Sequence, residues 1–344
     1  MDHAVPGFRV DTSANLAETD ELAGRLARFL DHEFGVSGMR ISNLARRSTG
    51  MSRENWTFTA HCQQRHGRPL DLILRRDPRG SMLETDRRSE HAVLSALRAR
   101  GLPVPELYGA DFTGEWLGRP SLIMQIVAGE CDYFAVTGAR PLSTRLRLAN
   151  DFLDLLARIQ EVDWRSLGLH ETLSEPGDSP SLHELDRWSD ELRRVQLEPM
   201  PEMQVIASWL RSKARPARRI VLVHGDFKPG NALILDHQIS AMLDWETAHL
   251  GDPLEDLGWI TNPARSGEYL IEGSWGRREI IAGFERRTGY AIDDDELHWW
   301  NVFACWKLAI IILTGIHALV EHRLDQIHHD PTFLYRRMLK MIQA

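Results

Sequence analysis

Three polar side chains in the second half of this 344-residue chain have the types and spacing for chemistry. Asp226 and Asn231 stand five positions apart in the loop His224-Gly225-Asp226-Phe227-Lys228-Pro229-Gly230-Asn231, and Asp244 follows thirteen positions later. A carboxylate can take a proton from an attacking hydroxyl. An amide oxygen and a second carboxylate are hard ligands, and Mg2+ commonly takes one or two of these while leaving its other positions to water and phosphate. The apolar run Ile220 to Val223 reads as a short buried strand entering the loop. Ala232 to Leu235 and Ile239 to Leu243 read as a hairpin about the turn Asp236-His237-Gln238. Its return strand ends at Asp244 and can bring that carboxylate back beside the loop.

The D-x-x-x-x-N spacing is that of a kinase catalytic loop, in which the Asp accepts the acceptor's proton and the Asn holds a metal ion. HGDFKPGN followed by MLDWETAHLGDPLEDLGW, with GLPVPELYG upstream at 101–109, resembles the aminoglycoside-phosphotransferase-like family of small-molecule kinases. The resemblance is strongest to the branch found beside, or fused to, acyl-CoA dehydrogenases. It implies an α+β, bilobal, protein-kinase-like fold: an N-terminal antiparallel β-sheet lobe with helices, then a larger, mainly α-helical C-terminal lobe. It also implies ATP (or GTP) and Mg2+ as cofactors, with Asp226 catalytic and Asn231 and Asp244 on the metal. The reaction would be phosphoryl transfer to a hydroxyl of a small molecule. The branch suggests a hydroxy acid or hydroxyacyl-CoA; the family name suggests an aminoglycoside. A non-catalytic nucleotide-binding protein on the same fold is the other reading. A protein kinase fits less well, because HGD replaces H-R-D and no A-P-E segment follows Asp244.

The elements that must carry these groups can be traced upstream. Leu22, Leu26, Phe29 and Leu30 recur at helical spacing between Glu18 and Phe34. Ile41 to Leu44, Trp56 to His61 and Leu70 to Arg75 read as strands of a small antiparallel sheet. The turn between the first two, Ser48 to Asn55, is a plain hairpin turn on its own. By resemblance it is the loop that covers the phosphates, with Gly50 and Ser52 as its candidate groups. Arg75 then stands where most kinases place a phosphate-pairing lysine; its planar fork can grip phosphate with two bonds. Glu90, fifteen positions on, lies in a helix expected from Asp86 to Arg100 and is placed to pair with it. Ser121 to Val127 reads as the last sheet strand, and the backbone at Gln125 and Ile126 would meet adenine. The expected lobes are 1–129, ending at the hinge, and 130–344.

Beyond the hinge the pattern turns helical: Leu142 to Gln160, Leu182 to Val195 and Met203 to Leu210, then Trp275 to Thr288, Asp293 to Glu321 and Pro331 to Ile342. Asp252 is expected to cap a helix starting at Pro253. The acidic run Asp293 to Glu296 suits a helix N-terminus. The basic run Arg211 to Arg219 reads as a solvated linker, and His328-His329 as surface.

Composition narrows the class. With 43% hydrophobic and 26% charged residues the chain reads as an ordinary soluble protein. A net charge of −8 argues against electrostatic nucleic-acid binding. Cys62, Cys131 and Cys305 are scattered and odd in number, which suggests free thiols and a cytoplasmic setting. The first residues carry no basic and apolar leader. Asn301 to Val320 is long enough to tempt a membrane-spanning reading, but Lys307 and His317 lie inside it, so a buried helix is expected instead.

Overall fold

The computed structural model describes residues 16–47, 54–62, 68–77, 86–321 and 330–343. In chain order the elements are α1 (Leu16–Phe34), β1 (Arg40–Arg47), β2 (Glu54–His61), β3 (Leu70–Arg76), α2 (Arg87–Ala99), β4 (Leu107–Asp111), β5 (Ser121–Gln125) and β6 (Glu130–Cys131). Next come α3 (Leu142–Gln160), α4 (Pro180–Val195), α5 (Pro201–Lys213), β7 (Val221–Val223), β8 (Ala232–Leu235), β9 (Gln238–Met242) and β10 (His249–Gly251). The chain continues through α6 (Leu254–Ile260), α7 (Ser266–Tyr269), α8 (Arg277–Thr288), α9 (Asp294–Val320) and α10 (Thr332–Met341). Contacts divide it into two compact units. The first is Met1–Cys131 with Ala232–Asp236 and Ser240–Glu246; the second is Asp132–Asn231, His237–Ile239 and Thr247–Ala344.

The first unit is an antiparallel sheet in the order β1-β2-β3-β5-β4. Trp56, Phe58, Leu72, Leu74 and Ile123 bury their side chains in one cluster with Leu26, Phe29 and Leu30 of α1. Asp86 starts α2 by accepting from the Arg88 N–H at 2.9 Å, the side-chain cap that satisfies an orphan donor. Strand β4 was not expected. The prolines of GLPVPELYG break the helix before them, but they also hold the backbone extended, and Leu107–Asp111 pairs directly with β5. A three-stranded sheet, β6-β8-β9, completes this unit. The β8–β9 turn has two residues, Asp236 and His237, at φ +49° and +63°, which is the type I′ geometry that matches strand twist.

The second unit is built on α9. Trp299, Trp300, Phe303 and Trp306 are all buried there, and the helix packs against α4, α5, α6 and α10. Among the described residues it is the helix long and apolar enough to span a membrane, and most of that apolar window is buried inside the protein. Gly258 on α6 lets the helices touch at backbone distance: a Cβ there would lie 2.5 Å from the Trp300 Cβ. Asp293 caps α9 through the N–H groups of Asp295 and Glu296. The basic run is not a bare linker. Its first residues end α5, while Arg215 pairs with Asp293 and Asp295 and Arg218 with Glu296, tying it to the acidic start of α9.

Candidate active site

Strand β7 is fully buried and pairs with β10, so the loop that follows leaves a rigid base. Its first two peptide N–H groups, of His224 and Gly225, donate to the Asp256 carboxylate at 2.8 and 2.9 Å. Gly225 has φ +83°, and a Cβ there would sit 2.8 Å from the Thr247 carbonyl oxygen, so only glycine fits. The Phe227 ring is buried edge-on against Phe152 and His224, and its carbonyl accepts from the Tyr269 hydroxyl at 2.5 Å. These contacts fix the loop before any ligand arrives.

Asp226 therefore projects from a fixed backbone. Its Oδ2 accepts from the Lys228 ammonium and, at 2.9 Å, from Asn231 Nδ2, which also donates to the Asp226 carbonyl at 3.0 Å. Its Oδ1 is buried and has no hydrogen-bond partner among the described residues. Burial pushes the carboxyl pKa up, but the Lys228 and Arg265 charges outweigh it and hold the group below the usual carboxylate value. It is thus ionised at neutral pH and is a weak base. Lys228 was not singled out in the sequence, although a lysine between the key Asp and Asn is a visible signal. Its ammonium also lies 5.9 Å from the Tyr133 ring centre.

The first unit carries the other predicted groups. Arg75 on β3 donates through Nη1 to Glu90 on α2 and through Nη2 to Asp244, both at 3.2 Å. Burial opposes its charge, but the Glu90, Asp244 and Glu246 carboxylates raise its pKa further. Glu90 is almost wholly buried and also receives Arg87, which in turn holds Asp77. Asp244 sits just past β9 at φ +66°, a left-handed conformation that is strained for a side chain other than Gly and is typical of functional positions. Gln125 and Ile126 are at the end of β5, but their N–H groups are already committed to the carbonyls of Glu106 (2.8 Å) and Asp71 (3.3 Å). Sheet pairing thus removes both as donors for a base. The N–H of Val127, just past the strand, has no partner among the described residues. Gly50 and Ser52 lie outside the described residues. Asp252 accepts from the Leu254 N–H at 2.7 Å, the capping role expected of it.

Residues 46–300 match the phosphotransferase enzyme family. The chain belongs to that family. It is a phosphotransferase with a mixed α+β, kinase-like fold. Acyl-CoA dehydrogenase family member 11 of Rattus norvegicus is 28% identical over 270 residues, covering 73% of this chain and 33% of that protein. The chain thus spans about a third of this curated relative's length. Among solved structures, a Ralstonia eutropha protein assigned as an aminoglycoside phosphotransferase has a TM-score of 0.68 at 20% identity, covering 97% of both chains. A streptomycin-ATP ternary complex of the phosphotransferase APH(2″)-IIa has a TM-score of 0.57 at 14% identity, covering 88% of this chain and 91% of its own. At these identities the structural likeness speaks for the fold of the phosphotransferase.

Proposed function

We propose that this phosphotransferase moves the γ-phosphoryl group of ATP, with Mg2+, to a hydroxyl of a small organic acceptor. The observation that carries the reading is the Asp226 carboxylate: one oxygen is tied down by Lys228 and Asn231, and the other is buried with no partner among the described residues. An unmade hydrogen bond at a buried carboxylate oxygen is costly, and a bound acceptor hydroxyl is the group that would complete it.

The donor set suits Mg2+. Asn231 turns its nitrogen to Asp226, so the amide oxygen is the ligand atom that remains, and Asp244 has one oxygen beyond the one Arg75 takes. Asn231 and Asp244 would hold the ion, which when bound neutralises phosphate charge. The rest falls to the chain itself. Arg75, with its charge fixed by three carboxylates, grips phosphate oxygens. Lys228, beside Asp226, stabilises negative charge on the transferring group. Asp226 orients the hydroxyl and takes its proton late, as the new bond to phosphorus forms. A weak base suffices because phosphoryl transfer depends mainly on position and charge. ATP is the proposed nucleotide, supported by the ATP complex of a protein with this fold, and the Val127 N–H is the proposed donor to a base that the backbone at Gln125 and Ile126 would meet.

For the acceptor we favour a hydroxy acid or hydroxyacyl-CoA. The named relative supports this. The test is a ³¹P NMR screen with Mg·ATP (and Mg·GTP) against hydroxy acids, hydroxyacyl-CoA esters and aminoglycosides. A phosphate ester on an anionic acceptor supports the reading. Transfer to aminoglycosides alone would replace it.

A further inference from the structure

Behind the catalytic loop lies a chain of buried charges that the reaction as described does not use. Lys307 of α9 is 2% exposed; its ammonium donates to the Gly225 carbonyl at 2.8 Å and faces Glu255 Oε1 at 3.4 Å. The rings of Trp188 and Trp259 flank it at 5.2 and 5.4 Å. Glu255 Oε2 meets His249 Nε2 at 3.0 Å, and Glu184 Oε1 lies 3.7 Å from the same nitrogen. Arg187 holds Glu184 through Nε and Nη2 at 2.8 and 2.5 Å.

The side chains of Glu184, His249 and Glu255 come close enough together for a metal ion. The hydrogen bonding assigns them otherwise. His249 Nδ1 lies 2.9 Å from the Thr247 carbonyl oxygen, and Nε2 faces carboxylate. Both ring nitrogens meet only acceptors, so both must carry hydrogen and the ring is an imidazolium. The neighbouring carboxylates raise its pKa against the effect of burial. With Asp256, which holds the His224 and Gly225 N–H groups, the buried set has three carboxylates, Glu184, Glu255 and Asp256, and three cations, Arg187, His249 and Lys307. The set is already neutral without a divalent ion.

The end of this chain is what matters for the reaction. The Gly225–Asp226 peptide group is held at its oxygen by Lys307 and at its N–H by His224 Nδ1, 3.2 Å away. The preceding N–H groups are held by Asp256. A lysine that only balanced Glu255 would need no backbone carbonyl.

We propose that Lys307 is a positioning residue: by clamping the Gly225 carbonyl it sets the peptide plane from which Asp226 projects, and the Glu255–His249–Glu184–Arg187 chain keeps its ammonium aimed. This rests on the phosphotransfer reading for its kinetic consequence, but not for its structural one. Displacements of about 1 Å at a reacting group cost on the order of a hundredfold in rate.

The test compares Lys307→Met, Glu255→Gln and the double variant in the full chain, by thermal stability, by amide hydrogen exchange of the 224–231 segment and by Asp226-dependent ATP turnover. Each single change leaves a buried charge uncompensated and lowers the melting temperature; the double change removes both charges and restores much of it. In the double variant the proposal expects 224–231 to exchange faster by on the order of tenfold or more. It expects kcat to fall by on the order of a hundredfold, with KM for ATP nearly unchanged. A double variant with wild-type exchange in 224–231, or with kcat restored along with stability, overturns it. If the wild type shows no Asp226-dependent turnover, the phosphotransfer reading fails and the exchange comparison alone decides the role of Lys307.

Discussion

Arg75 uses two different guanidinium nitrogens to reach Glu90 and Asp244, each at 3.2 Å. One planar fork thus fixes both a helix glutamate and the Asp244 carboxylate, which a lysine's compact ammonium on a flexible stem cannot copy. Arg75→Lys should lower kcat/KM for ATP by about tenfold, and Arg75→Met by about a hundredfold, as phosphate charge loses its partner. Steady-state kinetics with varied Mg·ATP checks this. Equal values for the lysine variant and the wild type would show that the two-pronged geometry is irrelevant.

Asp244 is held in the left-handed region, where Asn is also tolerated. Asp244→Asn should therefore keep the fold, with stability within about 1 kcal/mol of wild type for a partly exposed pair. Turnover should fall by on the order of a hundredfold or more, because the anionic oxygen proposed to hold the metal is gone. Raising Mg2+ should recover part of it. Unaltered Mg2+ dependence in this variant would remove Asp244 from the metal.

Gly258 admits no side chain, since an added Cβ would press on the Trp300 Cβ at 2.5 Å and on its backbone carbon at 2.9 Å. Gly258→Ala should destabilise the second unit by about 3 kcal/mol, since rigid helix backbone rather than a mobile side chain must move. Chemical denaturation followed by tryptophan fluorescence reads this directly.

Asp252 carries a pH signature. Burial first, then the Glu255 and Glu296 charges, push its pKa up to about 7, while the Leu254 N–H and the Arg218 charge work the other way. A raised folded pKa means that the group's contribution is full below the ordinary value of 3.8 and is lost as pH rises through about 7. Asp252→Asn keeps an acceptor for the Leu254 N–H and carries no charge. Relative to wild type it should gain on the order of 2–3 kcal/mol between pH 5 and pH 8. Denaturation midpoints of the two proteins at both pH values test the sign; groups common to both cancel.

Much of the first unit could be read from local pattern, because β3 alternates, β5 is a short continuous apolar run, and α1 and α2 keep helical period. Strand β4 could not, since its prolines are read equally well as an end or as extended backbone. The loop from Asp226 to Asn231 was legible as a spacing, and the Arg75–Glu90 pair as a fifteen-residue offset. The commitment of the Gln125 and Ile126 N–H groups depends on pairing with Asp71 and Glu106, distant positions that carry no mark of it. Lys307 is the sharper case. In the sequence it is only a charge that interrupts an apolar run, and its partner Gly225 lies 82 positions away. Long-range clamps of this kind emerge only once α6 and α9 are packed.

The most direct test of the central claim is turnover of Asp226→Asn with Mg·ATP and the acceptor found by ³¹P NMR. The amide keeps the size of the side chain but cannot take the proton, so kcat should fall by on the order of a thousandfold while ATP affinity changes little. An Asp226→Asn protein that turns over within a few-fold of wild type would contradict the assignment of this carboxylate as the group that orients and deprotonates the acceptor.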